Sequence, residues 1–356
     1  MPAEHSAPSA DDLPRMTIVV IGRNEGKRLA TCLESVFAAD YPRDRMEVIY
    51  VDTDSTDDSC VIAADLGARV VRTHPQRPTA AAARNAGLKA ARSDLIHFLD
   101  GDTILDKYWL RKAVAAMRDE AITAVYGRRD ELAPSATIYN FWTHHDWYVP
   151  PGKVDTCGGD VLWRRKAVLA AGGYDPMLIA GEERDLSYRM INYHGARILR
   201  LDEPMTLHDI NMTRFSQYWR RCFRSGYAYA QVAARYPGLK RWRRTCGRNI
   251  MHALVLLAAV TLSLGLWSVW PVVIWALLVV LAVARDAVRC KEQVSSTAGA
   301  VLYAAHHYLS KAPIVAGHLA YYRRHFFGGD SKGLIEYRGD VPEGEPISEI
   351  ASDVER

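Results

Sequence analysis

Two aspartates separated by a single glycine are the residues in this chain most suited to chemistry. The apolar run from Leu95 to Leu99 is typical of a buried strand, and Asp100 and Asp102 follow it directly. Aspartate is a poor strand former, and neighbouring buried carboxylates repel each other unless a positive charge lies between them. A divalent cation such as Mg²⁺ or Mn²⁺ supplies that charge, commonly while binding substrate phosphates. The pair therefore predicts a phosphorylated substrate; the alternative is a glycine turn with two solvated aspartates.

The elements that must position this pair follow an alternating pattern. Apolar runs predict strands at 17–22, 48–51, 69–71 and 95–99, and helical spacing predicts helices near 57–66, 79–91, 108–117 and 182–193. Strands that alternate with helices predict an α/β fold with a mostly parallel, doubly wound sheet. Ligands bind such sheets at the carboxyl ends of the strands. From about residue 127 to 151 the pattern predicts loops rich in aromatic residues and histidine.

Four polar clusters, in a fixed order, lie at these strand ends and helix starts. They are Arg23-Asn24-Glu25, Asp52-Thr53-Asp54-Ser55-Thr56-Asp57, Ala83-Arg84-Asn85-Ala86-Gly87 and Asp100-Gly101-Asp102. With this order and placement, the chain resembles an inverting family 2 glycosyltransferase of the GT-A (Rossmann-like) fold, which uses a nucleotide-diphosphate sugar. The resemblance runs from about residue 16 to residue 207, and it points to bacterial membrane-associated enzymes of exopolysaccharide or cell-envelope assembly.

The resemblance implies a binding site for the sugar donor, with a UDP-sugar favoured. Asp52 would accept a hydrogen bond from the nucleobase, Glu25 would meet the base or ribose, and Arg84 would donate to the diphosphate. Asp54 stands where the family more often has glycine, and Asn24 could instead stabilise a turn. The donor-binding candidates are Asn24, Glu25, Asp52, Asp54, Arg84, Asn85, Asp100, Gly159, Asp160, Arg220 and Arg221.

The resemblance also implies a catalytic base and a metal site. An acidic pair that opens a helix carries the base in the family, which aligns Glu183 with it and leaves Glu182 and Asp185 as the other candidates. Inverting transfer needs one carboxylate to take the proton of the acceptor hydroxyl. The alternative is that these acids only favour the start of a helix. His208 resembles the third metal ligand of some GT-A enzymes, beside Asp102 and Asp100, for Mn²⁺ or Mg²⁺.

The segment Gln217-Tyr218-Trp219-Arg220-Arg221 resembles the Gln-x-x-Arg-Trp loop of processive synthases, but Arg221 stands where the tryptophan should be. This departure argues against processive polymerisation. Arg220, Arg221 and Arg224 are predicted to face phosphate, either of the donor or of a lipid-linked acceptor. Attraction to anionic lipid head groups is the other interpretation of these charges.

Charge is unevenly distributed in the 356-residue chain. The net charge of +4 is mild and does not indicate a nucleic-acid partner, yet ten Lys or Arg residues lie between Arg214 and Arg248. The six cysteines are widely spaced, without a zinc or CxxC pattern, and are predicted to be reduced.

An uncharged run from Ile250 to Ala284 predicts membrane association. Crossing a bilayer takes roughly 20 apolar residues, so the run suits a short or re-entrant hairpin, and basic residues at both ends place both in the cytoplasm. The alternative is a buried helical subdomain of a soluble protein. The segment 298–322 is predicted to lie at the interface or against the hairpin. Together these features predict a location at the inner (cytoplasmic) membrane.

These features predict five regions and one leading function. The regions are a disordered leader (1–15), a GT-A catalytic domain (16–212), a basic juxtamembrane segment (213–249), a membrane hairpin with an interfacial helix (250–325) and a polar tail (326–356). The leading function is sugar transfer to a lipid-linked (polyprenyl-diphosphate) or polysaccharide acceptor. The alternatives are a small processive polysaccharide synthase and a catalytically silent scaffold that binds the donor at the membrane.

Overall fold

The computed structural model describes residues 13–328, so most of the predicted leader and tail lies outside the described residues. Within this range one mixed sheet has nine strands. They are β1 (Met16–Gly22), β2 (Met46–Thr53), β3 (Arg69–Thr73), β4 (Leu95–Asp100), β5 (Thr103–Leu105), β6 (Ala124–Glu131), β7 (Gly152–Val154), β8 (Val161–Arg164) and β9 (Ile198–His208). Their order is β3-β2-β1-β4-β8-β6-β9-β5, and β7 pairs with β9.

Helices between the strands cover the sheet. They are α1 (Lys27–Phe37), α2 (Ser59–Asp65), α3 (Ala80–Ala90), α4 (Trp109–Ala116), α5 (Ile138–Asp146), α6 (Arg165–Ala170) and α7 (Glu182–His194). Five more follow β9: α8 (Phe215–Arg235), α9 (Lys240–Gly265), α10 (Trp270–Cys290), α11 (Thr297–Leu309) and α12 (Lys311–Phe327). The predicted α/β fold class with a C-terminal helical region is confirmed.

The parallel half of the sheet brings the first motifs to one edge. Strands β3, β2, β1 and β4 run parallel, and Gly22 pairs with Asp52 while Ile21 pairs with Asp100. The side chains of β1 and β4 are almost all buried because helices cover both faces of the sheet. The carboxyl ends of β1, β2 and β4 therefore lie side by side, as the sequence predicts.

The antiparallel half brings a distant residue to the same edge. Strand β8 runs antiparallel to β4, and β5 runs antiparallel to β9 with Thr103 opposite His208. This register places His208 beside Asp102, which directly precedes β5. A slip of one residue would turn His208 to the other face of the sheet.

The segment 127–151, predicted as loops, contains helix α5 instead. Thr137 caps it by accepting a hydrogen bond from the backbone N–H of Asn140, and Trp142 is buried against the C-terminal helices. A packing partner 160 residues further along the chain, Leu302, accepts a hydrogen bond from the Trp142 indole. This contact stabilises a helix that the local apolar spacing does not indicate.

Helices α9 and α10 are long and apolar enough to cross a membrane. Their most apolar windows have mean hydropathies of 1.4 and 2.1, and only 11% and 6% of these windows are buried by other described residues. Helix α9 begins at Lys240, so it includes basic residues that precede the uncharged run. Helices α5, α8, α10 and α11, with the segment after β9, share a second small core around Trp142, Tyr218 and Tyr303.

Replacing Gly226 with alanine should destabilise the fold. Helices α8 and α12 cross with backbone in contact, and a β-carbon at Gly226 would lie 2.1 Å from the carbonyl oxygen of Ile314. Because backbone must move, we expect a loss of about 1–3 kcal/mol in the free energy of unfolding. Thermal unfolding in detergent measures it. Gly247→Ala in α9 is the matched control and should not lower stability, because an added β-carbon there would meet no other described segment within 4 Å.

Candidate active site

Asp100, Asp102 and His208 form a cluster with the chemistry of a metal site. One ligand atom from each lies within 4.8 Å of the others, and His208 Nε2 is 3.4 Å from Asp102 Oδ1. Asp102 and His208 are buried, whereas Asp100 is partly exposed. Two carboxylates and one imidazole suit a divalent cation such as Mn²⁺, and three protein ligands leave positions for phosphate oxygens. The residues therefore fit the divalent cation that the sequence predicts.

The guanidinium of Arg84 joins this cluster to the acidic pair of α7. Its Nη2 donates to Asp100 Oδ1 at 2.7 Å, and its Nη1 donates to Glu182 at 2.8 Å and to Glu183 at 3.5 Å. The pKa of Arg84 is raised by these three carboxylates, against the effect of burial. Arg84 is only 1% exposed, so the structure shows it binding protein carboxylates, where the sequence predicts contact with the donor diphosphate.

Glycines shape both sides of this arginine. A β-carbon at Gly159 would lie 2.1 Å from Arg84 Nη2, so only glycine leaves room for the guanidinium. Helix α7 begins after Gly181, whose φ of 80° is in the left-handed region. The acids Glu182 and Glu183 thus lie at the positive end of the helix dipole, next to Arg84.

Asp160 is hydrogen-bonded to the backbone of Asp100 and to residues of the neighbouring strands. Its Oδ1 accepts from the backbone N–H of Asp100 at 3.0 Å, and its Oδ2 accepts from Thr206 at 2.9 Å and from Arg129 at 2.7 Å. Arg129 also reaches Asp100 Oδ2 at 3.4 Å. The register of β6 against β9 shifts at Arg128 and Arg129, a bulge that redirects the strand beside the site. Burial raises the pKa of Asp160, and Arg129 opposes the rise.

The predicted nucleotide side lies at the ends of β1 and β2. Asp52 is buried, and its carboxylate accepts from the backbone N–H of Ser55 at 3.1 Å. Asn24 Oδ1 accepts from the backbone N–H of Thr56 at 2.7 Å, which ties the two loops together. Asp54 has a φ of 64° and contacts His74, and Glu25 forms an ion pair with Arg28 at 3.2 Å.

Three other candidates are engaged within the protein or lie on the surface. Asn85 donates to and accepts from the backbone of Tyr174, which fixes the loop before α7. The fully buried carboxylate of Asp185 binds Arg189, Arg235 and Tyr236. Arg220 is exposed and bonds its own helix.

Arg221, by contrast, lies near a ring that packs against the metal cluster. Its guanidinium carbon lies 5.8 Å from the centre of the Trp147 ring, which in turn packs edge-on against His208. The sequence does not single out Arg129, and it indicates Trp147 only as part of a segment predicted as loops rich in aromatic residues and histidine. Arg129 reaches the site through a strand bulge, and Trp147 reaches it through the packing of α5 against the C-terminal helices. The local sequence predicts neither feature.

Comparison with known proteins decides the family. The model of glycosyl transferase family 2 matches residues 17–169. An uncharacterised glycosyltransferase of Mycobacterium bovis is 34% identical over 188 residues, which are 52% of this chain and 76% of that protein. The chain belongs to glycosyltransferase family 2. It contains the domain of an enzyme of the glycosyltransferase class.

Two further proteins resemble this chain. The pre-mycofactocin glycosyltransferase of Mycobacterium tuberculosis is 29% identical over 255 residues, which cover 66% of this chain but only about half (50%) of that relative's length. A solved mannosyltransferase from Pyrobaculum calidifontis, in complex with GDP-Man and Mn²⁺, matches with a TM-score of 0.58 at 20% identity and covers 89% of both chains. The second likeness shows the fold, and the predicted GT-A architecture of this glycosyltransferase is confirmed.

We expect Glu182→Gln to flatten the pH dependence of transfer by this glycosyltransferase. Burial first, and the charge of Glu183 second, raise the pKa of the Glu182 carboxyl to about 7, while Arg84 opposes the rise. Below that pH the Glu182 carboxyl holds a proton, and above it the carboxylate is negatively charged. Glutamine fixes the neutral state, so the change in kcat/KM between about pH 6 and 8 should disappear while transfer persists. An unchanged profile contradicts this expectation, and loss of all transfer would make Glu182 the base.

Proposed function

We propose that this enzyme transfers a sugar, with inversion at the anomeric carbon, from a nucleotide-diphosphate sugar to a lipid-linked saccharide at the cytoplasmic face of the membrane. The observation that carries the proposal is the contact of Arg84 with both Asp100 and the Glu182–Glu183 pair. A metal cluster suited to phosphate and a pair of acids suited to proton transfer thereby lie on either side of one buried arginine.

Glu183 is the proposed base. Its side chain is 21% exposed against 8% for Glu182, and its contact with Arg84 is the longer one. Glu183 would take the proton of the acceptor hydroxyl as the new bond from that oxygen to the anomeric carbon forms. The bond from the anomeric carbon to phosphate breaks, and the electron pair leaves with the nucleoside diphosphate. Asp185, whose carboxylate binds Arg189, Arg235 and Tyr236, is proposed to anchor α7 only.

Asp102, Asp100 and His208 would hold the divalent cation, for which we propose Mn²⁺ or Mg²⁺. When bound, the cation supplies positive charge opposite the leaving diphosphate. Arg221, near the Trp147 ring that packs against His208, would bind the same diphosphate. At the far edge, the buried Asp52 would accept a hydrogen bond from the nucleobase, and a UDP-sugar is the proposed donor.

The acceptor is proposed from the surface that surrounds the site. Helix α8 runs from the metal side towards α9, and basic residues crowd the start of α9, next to its apolar and exposed length. Anionic lipid head groups attract such residues with about 1 kcal/mol each. A saccharide carried on a polyprenyl diphosphate would thus reach Glu183 from the bilayer, and both α9 and α10 would insert as a hairpin.

Transfer assays with a panel of nucleotide sugars test this function. Detergent-purified protein is incubated with each donor and Mn²⁺, Mg²⁺ or EDTA, with and without an extract of membrane lipids. We expect transfer from one donor that EDTA abolishes and that requires the lipid extract, and NMR of the product gives the anomeric configuration. Long products from donor alone would instead favour a processive synthase, and nucleotide binding without turnover on any acceptor would favour a scaffold.

A further inference from the structure

Trp147, which follows α5, lies against the proposed metal ligands. The centre of its ring is 4.9 Å from that of the His208 imidazole, at an angle of 62°. The guanidinium carbons of Arg129 and Arg221 lie 5.4 and 5.8 Å from the ring centre. Cations near an aromatic face are attracted to it. One indole therefore lies beside the imidazole of the cluster, the arginine that binds Asp100, and Arg221 of α8.

A buried histidine of α11 is hydrogen-bonded to the residue that precedes this ring. His306 is only 4% exposed, and its Nε2 donates to Asp146, the residue directly before Trp147, at 3.1 Å. In the neutral imidazole the other nitrogen is then an acceptor, and the hydroxyl of Tyr218 donates to it at 2.9 Å. The hydroxyl of Tyr303 also donates to Asp146, at 3.1 Å.

These contacts form a closed ring of interactions. Tyr218 lies on α8 one helical turn before Arg221, and Asp146 directly precedes Trp147. His306 thus joins two segments that carry Trp147 and Arg221, and the Arg221 guanidinium carbon lies 5.8 Å from the centre of the Trp147 ring. The Trp142 ring stacks on His306 at 4.9 Å and 19°, which fixes the imidazole plane.

We propose that Trp147 and His306 are positioning residues of the transfer site. Trp147 holds His208 and Arg221 in the orientation that binds a divalent cation and a diphosphate, and His306 fixes Trp147 and Arg221 relative to each other. The diphosphate part rests on the function proposed above, whereas the metal part rests on the cluster itself. Neighbours that orient a metal-binding histidine commonly change metal affinity by about 10- to 100-fold when they are removed.

Mn²⁺ binding, measured by electron paramagnetic resonance on detergent-purified protein, tests the metal part without any turnover. We expect Trp147→Ala to weaken Mn²⁺ binding by about tenfold and Trp147→Phe, which keeps a ring, to restore most of it. Tyr148→Ala removes an exposed neighbouring ring and should leave Mn²⁺ affinity unchanged. Wild-type Mn²⁺ affinity in Trp147→Ala would overturn the proposal.

His306→Phe tests the link from α11 and serves as the second variant where Trp147→Ala does not fold. The phenylalanine has a similar volume but lacks the hydrogen bonds to Asp146 and Tyr218. We therefore expect KM for the donor to rise by about fivefold or more while kcat falls less. His307→Phe, at the partly exposed next position, is the matched control. Equal loss in both variants, or none in His306→Phe, contradicts the link. Wild-type protein that binds Mn²⁺ but transfers no sugar would refute the proposed function and leave the metal part standing.

Discussion

Asp102→Asn is expected to lose sugar transfer by about three orders of magnitude, which corresponds to about 4 kcal/mol in the activation barrier. The change keeps the shape of the side chain and removes the charge of a buried carboxylate that lies 3.4 Å from His208. Asp100 and His208 alone would then have to hold the cation, and Asp100 already shares its charge with Arg84 and Arg129. Transfer rates at saturating donor, with Mn²⁺ varied, measure the loss.

Asp94→Asn provides the matched control for this variant. Asp94 directly precedes β4, whereas Asp102 lies just beyond the other end of that strand. The Asp94 side chain is 83% exposed. The control should keep wild-type transfer and Mn²⁺ binding. Full transfer by Asp102→Asn in metal-free buffer with defined Mn²⁺ would refute the role of Asp102 in metal binding.

Glu183→Gln is expected to lower kcat by about 10²- to 10⁴-fold while the nucleoside diphosphate still binds. The amide cannot take the acceptor proton, yet it keeps the volume and hydrogen bonding of the side chain. Arg84 would remain in place because its shorter contacts are to Asp100 and Glu182. Kinetics of transfer together with calorimetric titration of the nucleoside diphosphate separate the loss of chemistry from loss of binding.

Variants of two other acids, the adjacent Glu182 and the distant Glu203, serve as comparisons for this second prediction. Glu182→Gln changes the adjacent carboxylate and should retain transfer, and Glu203→Gln changes a half-exposed carboxylate bound to Lys112 and should have no effect. If Glu183→Gln keeps the wild-type kcat while Glu182→Gln abolishes transfer, Glu182 and not Glu183 is the base. Weak nucleotide binding in Glu183→Gln would indicate that the variant disturbs Arg84, and a role in proton transfer would lose its support.

The first half of the sheet could be predicted because its signals are local. Apolar runs that end in Asp52 and Asp100 indicate buried parallel strands, and parallel strands place their carboxyl ends together. His208 was predicted as a metal ligand only through a family resemblance. His208 lies beside Asp102 because Thr103 pairs with His208, 105 positions further along the chain. The periodicity of neither segment predicts this pairing.

Arg84 and α5 show why other parts could not be predicted. An arginine on an alanine-rich helix looks available to a phosphate, and only the fold reveals that three carboxylates from β4 and α7 surround it. The α5 segment mixes aromatic residues with histidines and lacks helical apolar spacing. Its structure depends on Thr137 as a cap, on Glu131 bound to Asn140, and on a packing surface supplied by α11.

The second small core affects how the protein can be dissected. Ile210 and Met212, just beyond β9, pack with Trp142, Tyr218 and residues of α11. A truncation that ends near residue 212 would expose this apolar surface to water and remove His306 from its place beside Asp146. Soluble fragments made in this way are expected to aggregate. Preparations that keep helices α8 to α12 are therefore the suitable material for biochemistry.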